Sequence, residues 1–263
     1  MASGEIKTAV LIGAGNLGWH LGHILHEKGI NVLQVLSRSE ASCKELAAAL
    51  HAGYSTRMDQ ITRKADIIII AVPDSQIAKV ISRIDFGDNL VVHTAGSIPM
   101  KIFKDKAVNY GVLYPLMTFT RNKPVDFSVI PLLIEANAGE NTEKLLVFAK
   151  NLSKDVRPVS SELRKTIHLA AVFACNFPNH MFALAEYLLS HKGISFDILK
   201  PMIRETTDKL NMMSPLSTQT GPAIRNDETT MEHHLKLLAD DVEIAELYRQ
   251  ISKSITTFTK KKK

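Results

Sequence analysis

Cysteine is scarce in this sequence: only Cys43 and Cys175 occur among 263 residues. Two isolated cysteines provide neither a disulfide framework nor the paired spacing of a zinc site, so we expect no metal centre. Long hydrophobic runs are also missing, because the run at Ile67–Val72 falls far short of the roughly 20 residues that cross a bilayer. The start of the chain is polar and shows no signal peptide pattern. These absences predict a cytoplasmic protein without a membrane span.

Positive charge is in excess, but it is concentrated at one end of the chain. The formal net charge is +5, and it falls to +1 when the terminal run Lys260–Lys263 is set aside. A terminal lysine run is typical of a solvated tail. The rest of the chain is nearly neutral, so we expect no nucleic-acid partner.

The pattern of apolar residues divides the chain into two parts. Up to about Val159, short apolar runs alternate with helical patterns, as a parallel sheet with crossover helices requires. The predicted strands are Thr8–Ile12, Val32–Leu36, Ile67–Val72, Leu90–His93, Gly111–Leu113 and Ile130–Glu135. Beyond Pro158 only helical patterns follow, beginning with one long helix over Ser161–His191. The sequence therefore predicts an α/β, Rossmann-type, mostly parallel sheet in residues 1–159 and a smaller all-helical domain in residues 160–263.

A glycine-rich motif lies between the first predicted strand and the first predicted helix. Gly13 suits a tight turn, Gly15 lets the backbone approach a pyrophosphate, and Gly18 permits close packing of helix on strand. The opening of the helix offers unpaired N–H groups to phosphate. The motif predicts a dinucleotide site made by Gly13, Ala14, Gly15, Asn16, Leu17 and Gly18.

No acidic residue follows the second predicted strand, where a site for NAD would hold the ribose hydroxyls with a carboxylate. Ser37, Arg38 and Ser39 stand there instead. A guanidinium between two hydroxyls suits a 2′-phosphate, which predicts NADP as the cofactor. Ser39 is also well placed as the N-cap of the next helix, and the two interpretations are compatible.

Two further strands end at the same predicted sheet edge. Open α/β sheets bind ligands at the carboxyl ends of their strands, so we expect the cofactor to contact these segments as well. The residues predicted there are Val72, Pro73, Thr94 and Ala95. Ser97 is a candidate active-site residue. His93 is a second candidate, although a buried structural histidine is an equally good interpretation.

The motifs together resemble a known superfamily. The glycine motif, the Ser37–Ser39 turn, Ala71–Pro73 and the helical second half resemble pyrroline-5-carboxylate reductases, deazaflavin-dependent NADP reductases and beta-hydroxyacid dehydrogenases. The match is closer to a branch of NADP oxidoreductases that carry a C-terminal domain of unknown function. The resemblance implies the fold and the cofactor but no particular substrate. Beta-hydroxyacid dehydrogenases carry a lysine and an asparagine four residues apart on the long helix, whereas Lys165 is followed at that distance by Leu169.

The long predicted helix carries a different polar stripe. Lys165, His168, Val172 and Asn176 are three, four and four residues apart, which places them on one face of a regular helix. Pro178 is expected to kink the helix near that stripe. A core helix with a hydrogen-bonded histidine is the competing interpretation.

Two hypotheses about function follow. In the first, NADPH reduces a small carbonyl or imine compound, His168 exchanges a proton at physiological pH, Asn176 orients the substrate, and Ser97 holds a polar group of it. In the second, the chain is a non-catalytic NADP(H)-binding redox sensor or interaction protein.

The long helix also continues as an apolar stripe through Met181, Leu184 and Leu188, which predicts a homodimer held by the helical domain.

Overall fold

The computed structural model describes residues 5–262, with side chains described up to Thr259. Lys263 and the side chains of the remaining tail lysines lie outside that range, as do residues 1–4. The chain forms two compact units, one ending at Asn176 and the other beginning at Phe177.

The first unit is built around an eight-stranded sheet with the order β3-β2-β1-β4-β5-β6-β7-β8. The strands are β1 (Thr8–Ile12), β2 (Asn31–Leu36), β3 (Gly53–Ser55), β4 (Ile67–Ile70), β5 (Leu90–His93), β6 (Asn109–Pro115), β7 (Leu132–Ala136) and β8 (Val156–Pro158). The first six strands are parallel, while β7 pairs antiparallel with β6 and parallel with β8. The strand order reverses between β1 and β4, and a doubly wound sheet binds its ligand in the crevice at such a point.

Helices cover both faces of this sheet. They are α1 (Asn16–Glu27), α2 (Glu40–Ala49), α3 (Asp74–Ile81) and α4 (Gly139–Leu152), followed by α5 (Ser161–Ala171). Side chains alternate along the strands, so Leu11 and Ile69 belong to one core while Ile12 and Ile70 belong to the other. Burial on both sides explains why the central strands are continuous apolar runs. The predicted Rossmann-type α/β fold is confirmed, and it fixes the positions of the loops at the carboxyl edge.

Two strands and one helix boundary differ from the predictions. The edge strands β3 and β8 are three residues long and were not predicted. Such short segments show no alternating pattern, and they become strands through pairing with β2 and β7. The long helix predicted from Ser161 is interrupted by a π-helical turn at Val172–Asn176. Pro178 has no N–H for a bond to the carbonyl of residue 174, which accounts for the wider turn.

The domain boundary was predicted near Ser160, where the helical part of the chain does begin. The compact units divide later, after Asn176. The reason is that the buried Arg164 on α5 binds Glu135 on β7, so this helix belongs with the sheet.

The second unit is helical, with α6 (Phe177–Ser190), α7 (Lys200–Asp208), α8 (Pro222–Arg225), α9 (Glu228–Leu237) and α10 (Val242–Lys262). Among residues 177–259, whose exposure is described, only Ala223, Leu238 and Ala245 are buried. An apolar groove of about 340 Å³ lies between α6 and α10, with Met181 and Leu184 on one side. Within residues 5–262, no helix is both long and apolar enough to cross a membrane.

Candidate active site

The loop after β1 has a backbone that only glycine permits at two positions. Gly13 has a φ of +117°, and a Cβ there would lie 2.1 Å from the carbonyl oxygen of Ala71. A Cβ on Gly18 would lie 2.0 Å from the carbonyl oxygen of Gly13. Gly15 is different, because no atom lies within 4 Å of the position its Cβ would take. Gly13 and Gly18 thus allow the tight turn, and Gly15 leaves open space over the backbone, as a phosphate site needs.

Helix α1 begins directly at this space. Gly15 is its N-cap and supplies no side-chain hydrogen bond, so the first N–H groups of the helix keep their capacity to bind an anion. The side chain of Asn16 donates instead to the carbonyl oxygen of Phe119, at 3.0 Å. The start of α1 therefore fits the pyrophosphate of a dinucleotide.

A cleft of about 520 Å³ opens beside this loop at the switch point of the sheet. Most of the predicted cofactor residues line it: Gly13, Ala14, Gly15, Ser37, Arg38, Ser39, Val72 and Pro73. The N-cap interpretation of Ser39 is also confirmed, since its oxygen accepts a hydrogen bond from the backbone N–H of Ser42.

The remaining predicted cofactor residues lie nearby but do not line the cleft. Leu17 packs against the apolar core, and Gly18 packs against the turn. Thr94 is buried and donates its hydroxyl to the carbonyl oxygen of Ile70, at 3.2 Å. The N–H of Ala95 donates to Nδ1 of His93, also at 3.2 Å. These residues support the loops at the edge of the sheet.

Sequence reasoning missed several residues that line the cleft. The residues that it did not identify are Ser42, Met58, Gln76, Lys79, Val80 and Arg83. Four of them belong to α3 and the turn that follows it, and the spacing of Lys79 and Arg83 was the available signal. The described lining therefore holds three cations, Arg38, Lys79 and Arg83, and no carboxylate.

A second group of polar side chains meets at Gly96, just after β5. The Tyr114 hydroxyl, at the carboxyl end of β6, lies 3.0 Å from Nδ1 of His168 on α5. A Cβ on Gly96 would lie 2.6 Å from that Nδ1 and 2.8 Å from Cζ of Tyr114. Glycine at this position is thus what lets the tyrosine and histidine close over the loop. Tyr114 was not among the predicted site residues.

Ser97 follows Gly96 and contacts the first residue of α3. Its hydroxyl donates a short hydrogen bond to the carboxylate of Asp74. Burial raises the pKa of Tyr114, the negative charge of Asp74 raises it further, and Arg164 opposes them. A tyrosine hydroxyl is protonated at neutral pH in any case, and the raised pKa of Tyr114 keeps it so.

The buried Arg164 fixes the position of His168, one helical turn away. Its guanidinium donates to Glu135 at 2.6 Å and to the carbonyl oxygen of Ile98 at 2.7 Å. Glu135 also accepts from the backbone N–H and the hydroxyl of Ser161, at 3.0 and 2.7 Å. This network attaches the first turn of α5 to the sheet and to the loop after β5.

The structural interpretation of His93 is favoured over a catalytic one. The side chain is fully buried and stacks on Phe103. Burial, assisted by the nearby charge of Arg164, lowers the pKa of His93 to about 3, so the imidazole stays neutral. Its Nδ1 accepts from the N–H of Ala95 and shapes the turn.

The predicted polar stripe runs from α5 into the π-helical turn that follows it. Lys165 forms an ion pair with Glu162 at 2.9 Å. Asn176 is exposed and stands at the end of the π-helical turn. Because that turn breaks the 3.6-residue period, spacing alone does not place Asn176 on the face of His168.

The sheet order and the loop after β1 define a Rossmann-type oxidoreductase fold. Residues 7–96 match the model of a family described as NADP oxidoreductase, coenzyme F420-dependent, and residues 130–255 match a domain of unknown function. Among curated protein sequences, none matches the chain significantly.

Solved structures resemble the whole chain. The putative NADP oxidoreductase from Bacteroides fragilis is 42% identical, with 96% of this chain and 98% of that chain covered and a TM-score of 0.89. An imine reductase from Myxococcus stipitatus in complex with NADP+ is 16% identical, with coverages of 97% and 93% and a TM-score of 0.62. A reductive aminase from Aspergillus terreus, in complex with NADPH4, cyclohexanone and allyl amine, is 12% identical, with coverages of 98% and 95% and a TM-score of 0.71. The last two share the fold. The first shows that this chain belongs to the NADP oxidoreductase family, as its motifs predicted.

Proposed function

We propose that this protein is an NADP(H)-dependent oxidoreductase that transfers a hydride to or from a small carbonyl or imine compound. The observation that carries the proposal is the Tyr114–His168 pair, held over Gly96 at the carboxyl edge where β5 and β6 end. The imine reductase and the reductive aminase that share the fold support this class of substrate.

The cleft has the shape and charge for the cofactor. The pyrophosphate fits the open backbone at Gly15 and the start of α1. The 2′-phosphate fits Ser37 and Arg38, where no carboxylate would repel it. NADPH, when bound, supplies the hydride.

Tyr114 and His168 supply the proton that accompanies reduction. The Tyr114 hydroxyl donates its proton to the nitrogen or oxygen of the substrate, and the protonated His168 ring returns a proton to the Tyr114 oxygen from Nδ1, 3.0 Å away, and regains one from solvent. Ser97 positions the polar group of the substrate, with its hydroxyl oriented by Asp74. Asn176, an exposed amide, orients a more distant part of the substrate.

A screen for NADPH oxidation with small imines, ketoacids and aldehydes tests the proposal directly. Turnover with at least one of these classes is the expected result. Tight NADPH binding without turnover of any compound in the panel would contradict the proposed oxidoreductase activity and support the redox-sensor alternative.

NADPH is expected to bind more tightly than NADH, because Arg38 and its neighbouring hydroxyls replace the acidic residue that would hold an unphosphorylated ribose. Arg38→Ala removes a charged hydrogen bond to the 2′-phosphate. The variant should weaken NADPH binding by roughly 10- to 100-fold and change NADH binding little. Titration of cofactor fluorescence measures both constants. Equal affinities of the unaltered protein for NADPH and NADH would contradict the prediction that NADP is the cofactor.

The second unit is expected to form a homodimer. No residue of α6 is buried, although Met181, Leu184 and Leu188 from this helix line an apolar groove against α10. Soluble proteins rarely leave such a surface open, and a two-fold contact with a second copy is the commonest way to cover it. Light scattering should give about twice the chain mass of 29.1 kDa. A mass equal to one chain at micromolar concentration would rule the dimer out.

A further inference from the structure

We propose that Lys79 and Arg83 form a second wall of the 2′-phosphate site, opposite Arg38 at the end of β2. The phosphate would then bind between α3 and Arg38. This inference rests on the proposed NADP(H) function and adds residues that the Ser37–Ser39 turn does not contain. Both side chains are exposed and line the same cleft as Arg38.

The position of these two cations follows from the way α3 packs. Ile77, Val80 and Ile81 are buried and hold one face of the helix on the sheet. Lys79 lies on the exposed side of α3, and Arg83 is exposed in the turn that follows the helix. The helix starts immediately after Pro73, which itself lines the cleft. The packing of α3 therefore brings both charges to the ligand side of the sheet edge.

The three cations of the cleft have no anionic partner in the part of the chain that the structure describes. Within residues 5–262, the side chains of Arg38, Lys79 and Arg83 make no ion pair and no hydrogen bond. Some exposed cations of the first unit pair with carboxylates at 2.6–2.8 Å, as Lys44 does with Glu40, Arg57 with Asp59 and Arg63 with Asp85. Other exposed lysines of the described residues, Lys64 among them, form no ion pair either, so the cleft is distinguished by holding three cations together without a carboxylate. Like charges that share a cleft repel one another, and a bound anion of charge near −2 removes that repulsion.

The hydroxyl groups beside Arg38 are neutral, and one of them is already engaged. Ser39 donates its hydroxyl to Ser42 at 3.1 Å, and its oxygen caps α2. Its donor is therefore already used, and the hydroxyls of Ser37 and Ser42, both in the cleft lining, are left to reach a phosphate. A dianion at this point needs further donors, and the opposite wall supplies two charged ones.

A pair of small probes isolates the 2′-phosphate. Adenosine 2′,5′-bisphosphate and 5′-AMP differ only in that group, and neither contains nicotinamide. We expect the unaltered protein to bind the bisphosphate more tightly, and Lys79→Ala and Arg83→Ala each to reduce this preference by roughly 10-fold. Isothermal titration measures each constant. Lys64→Ala removes an exposed charge before β4, at the opposite edge of the sheet, and should leave the preference unchanged.

The outcomes separate this inference from the function on which it rests. If the unaltered protein shows no preference for the bisphosphate, the NADP assignment itself fails. If the preference exists and survives in both α3 variants, only the second wall is wrong. An equal loss for both probes would also overturn it, because the cations would then act on the 5′-phosphate or the adenine. Circular dichroism checks that the variants fold, as expected for exposed positions.

Discussion

Tyr114→Phe is expected to lower the turnover number for NADPH-dependent reduction by roughly 100- to 10,000-fold, the usual contribution of a positioned acid. The change removes only the hydroxyl that lies 3.0 Å from Nδ1 of His168 and keeps the ring that packs over Gly96. The affinity for NADPH should not change, because Tyr114 does not line the cofactor cleft. Steady-state kinetics with the compounds reduced in the panel, together with NADPH titration, measures both quantities.

His168 provides the matching control. His168→Ala should lower turnover. Added imidazole should restore part of it, because imidazole can return a proton to Tyr114 in place of the missing side chain. A residue with a purely structural role would not respond to imidazole. If Tyr114→Phe keeps full turnover while His168→Ala loses it, the histidine donates directly and the role assigned to Tyr114 is wrong.

The cofactor cleft could be predicted largely from local sequence. Gly13 and Gly15 lie between β1 and α1, and Gly18 lies in the first turn of α1, so the spacing of the motif along the chain was enough to identify it, although the contact of Gly13 with Ala71 was not local. The absence of an acidic residue beside Arg38 is also visible in the local sequence. The strands of the central sheet were predictable because burial on both faces leaves continuous apolar runs such as Ile67–Ile70.

The candidate catalytic group was harder to predict because it is assembled by topology. Tyr114 and His168 are 54 residues apart, and they meet only because β6 lies beside β5 and Arg164 attaches α5 to β7. No periodic pattern in the chain encodes that contact. The π-helical turn was missed for a related reason: Pro178 signals a disturbance, but the sequence does not specify its form.

Arg164→Met is expected to reduce the free energy of unfolding of the first unit by about 3–5 kcal/mol. The guanidinium is fully buried and Glu135 is 17% exposed, so removal of the cation leaves a largely buried carboxylate without its charged partner. Urea unfolding followed by Trp19 fluorescence measures the loss. Trp19 is the single tryptophan of the chain and lies on α1, so the signal reports on this unit.

Two further variants separate the buried charge from a general effect of arginine loss. Arg157→Met breaks an exposed pair with Asp155 and should change the free energy of unfolding little. Combining Arg164→Met with Glu135→Gln removes both buried charges and keeps an amide oxygen that can accept from Ser161. The double variant should therefore recover most of the lost stability, because the unpaired charge, not the missing contact, dominates the cost. If Arg164→Met proves no more harmful than Arg157→Met, the buried pair does not hold α5 to the sheet.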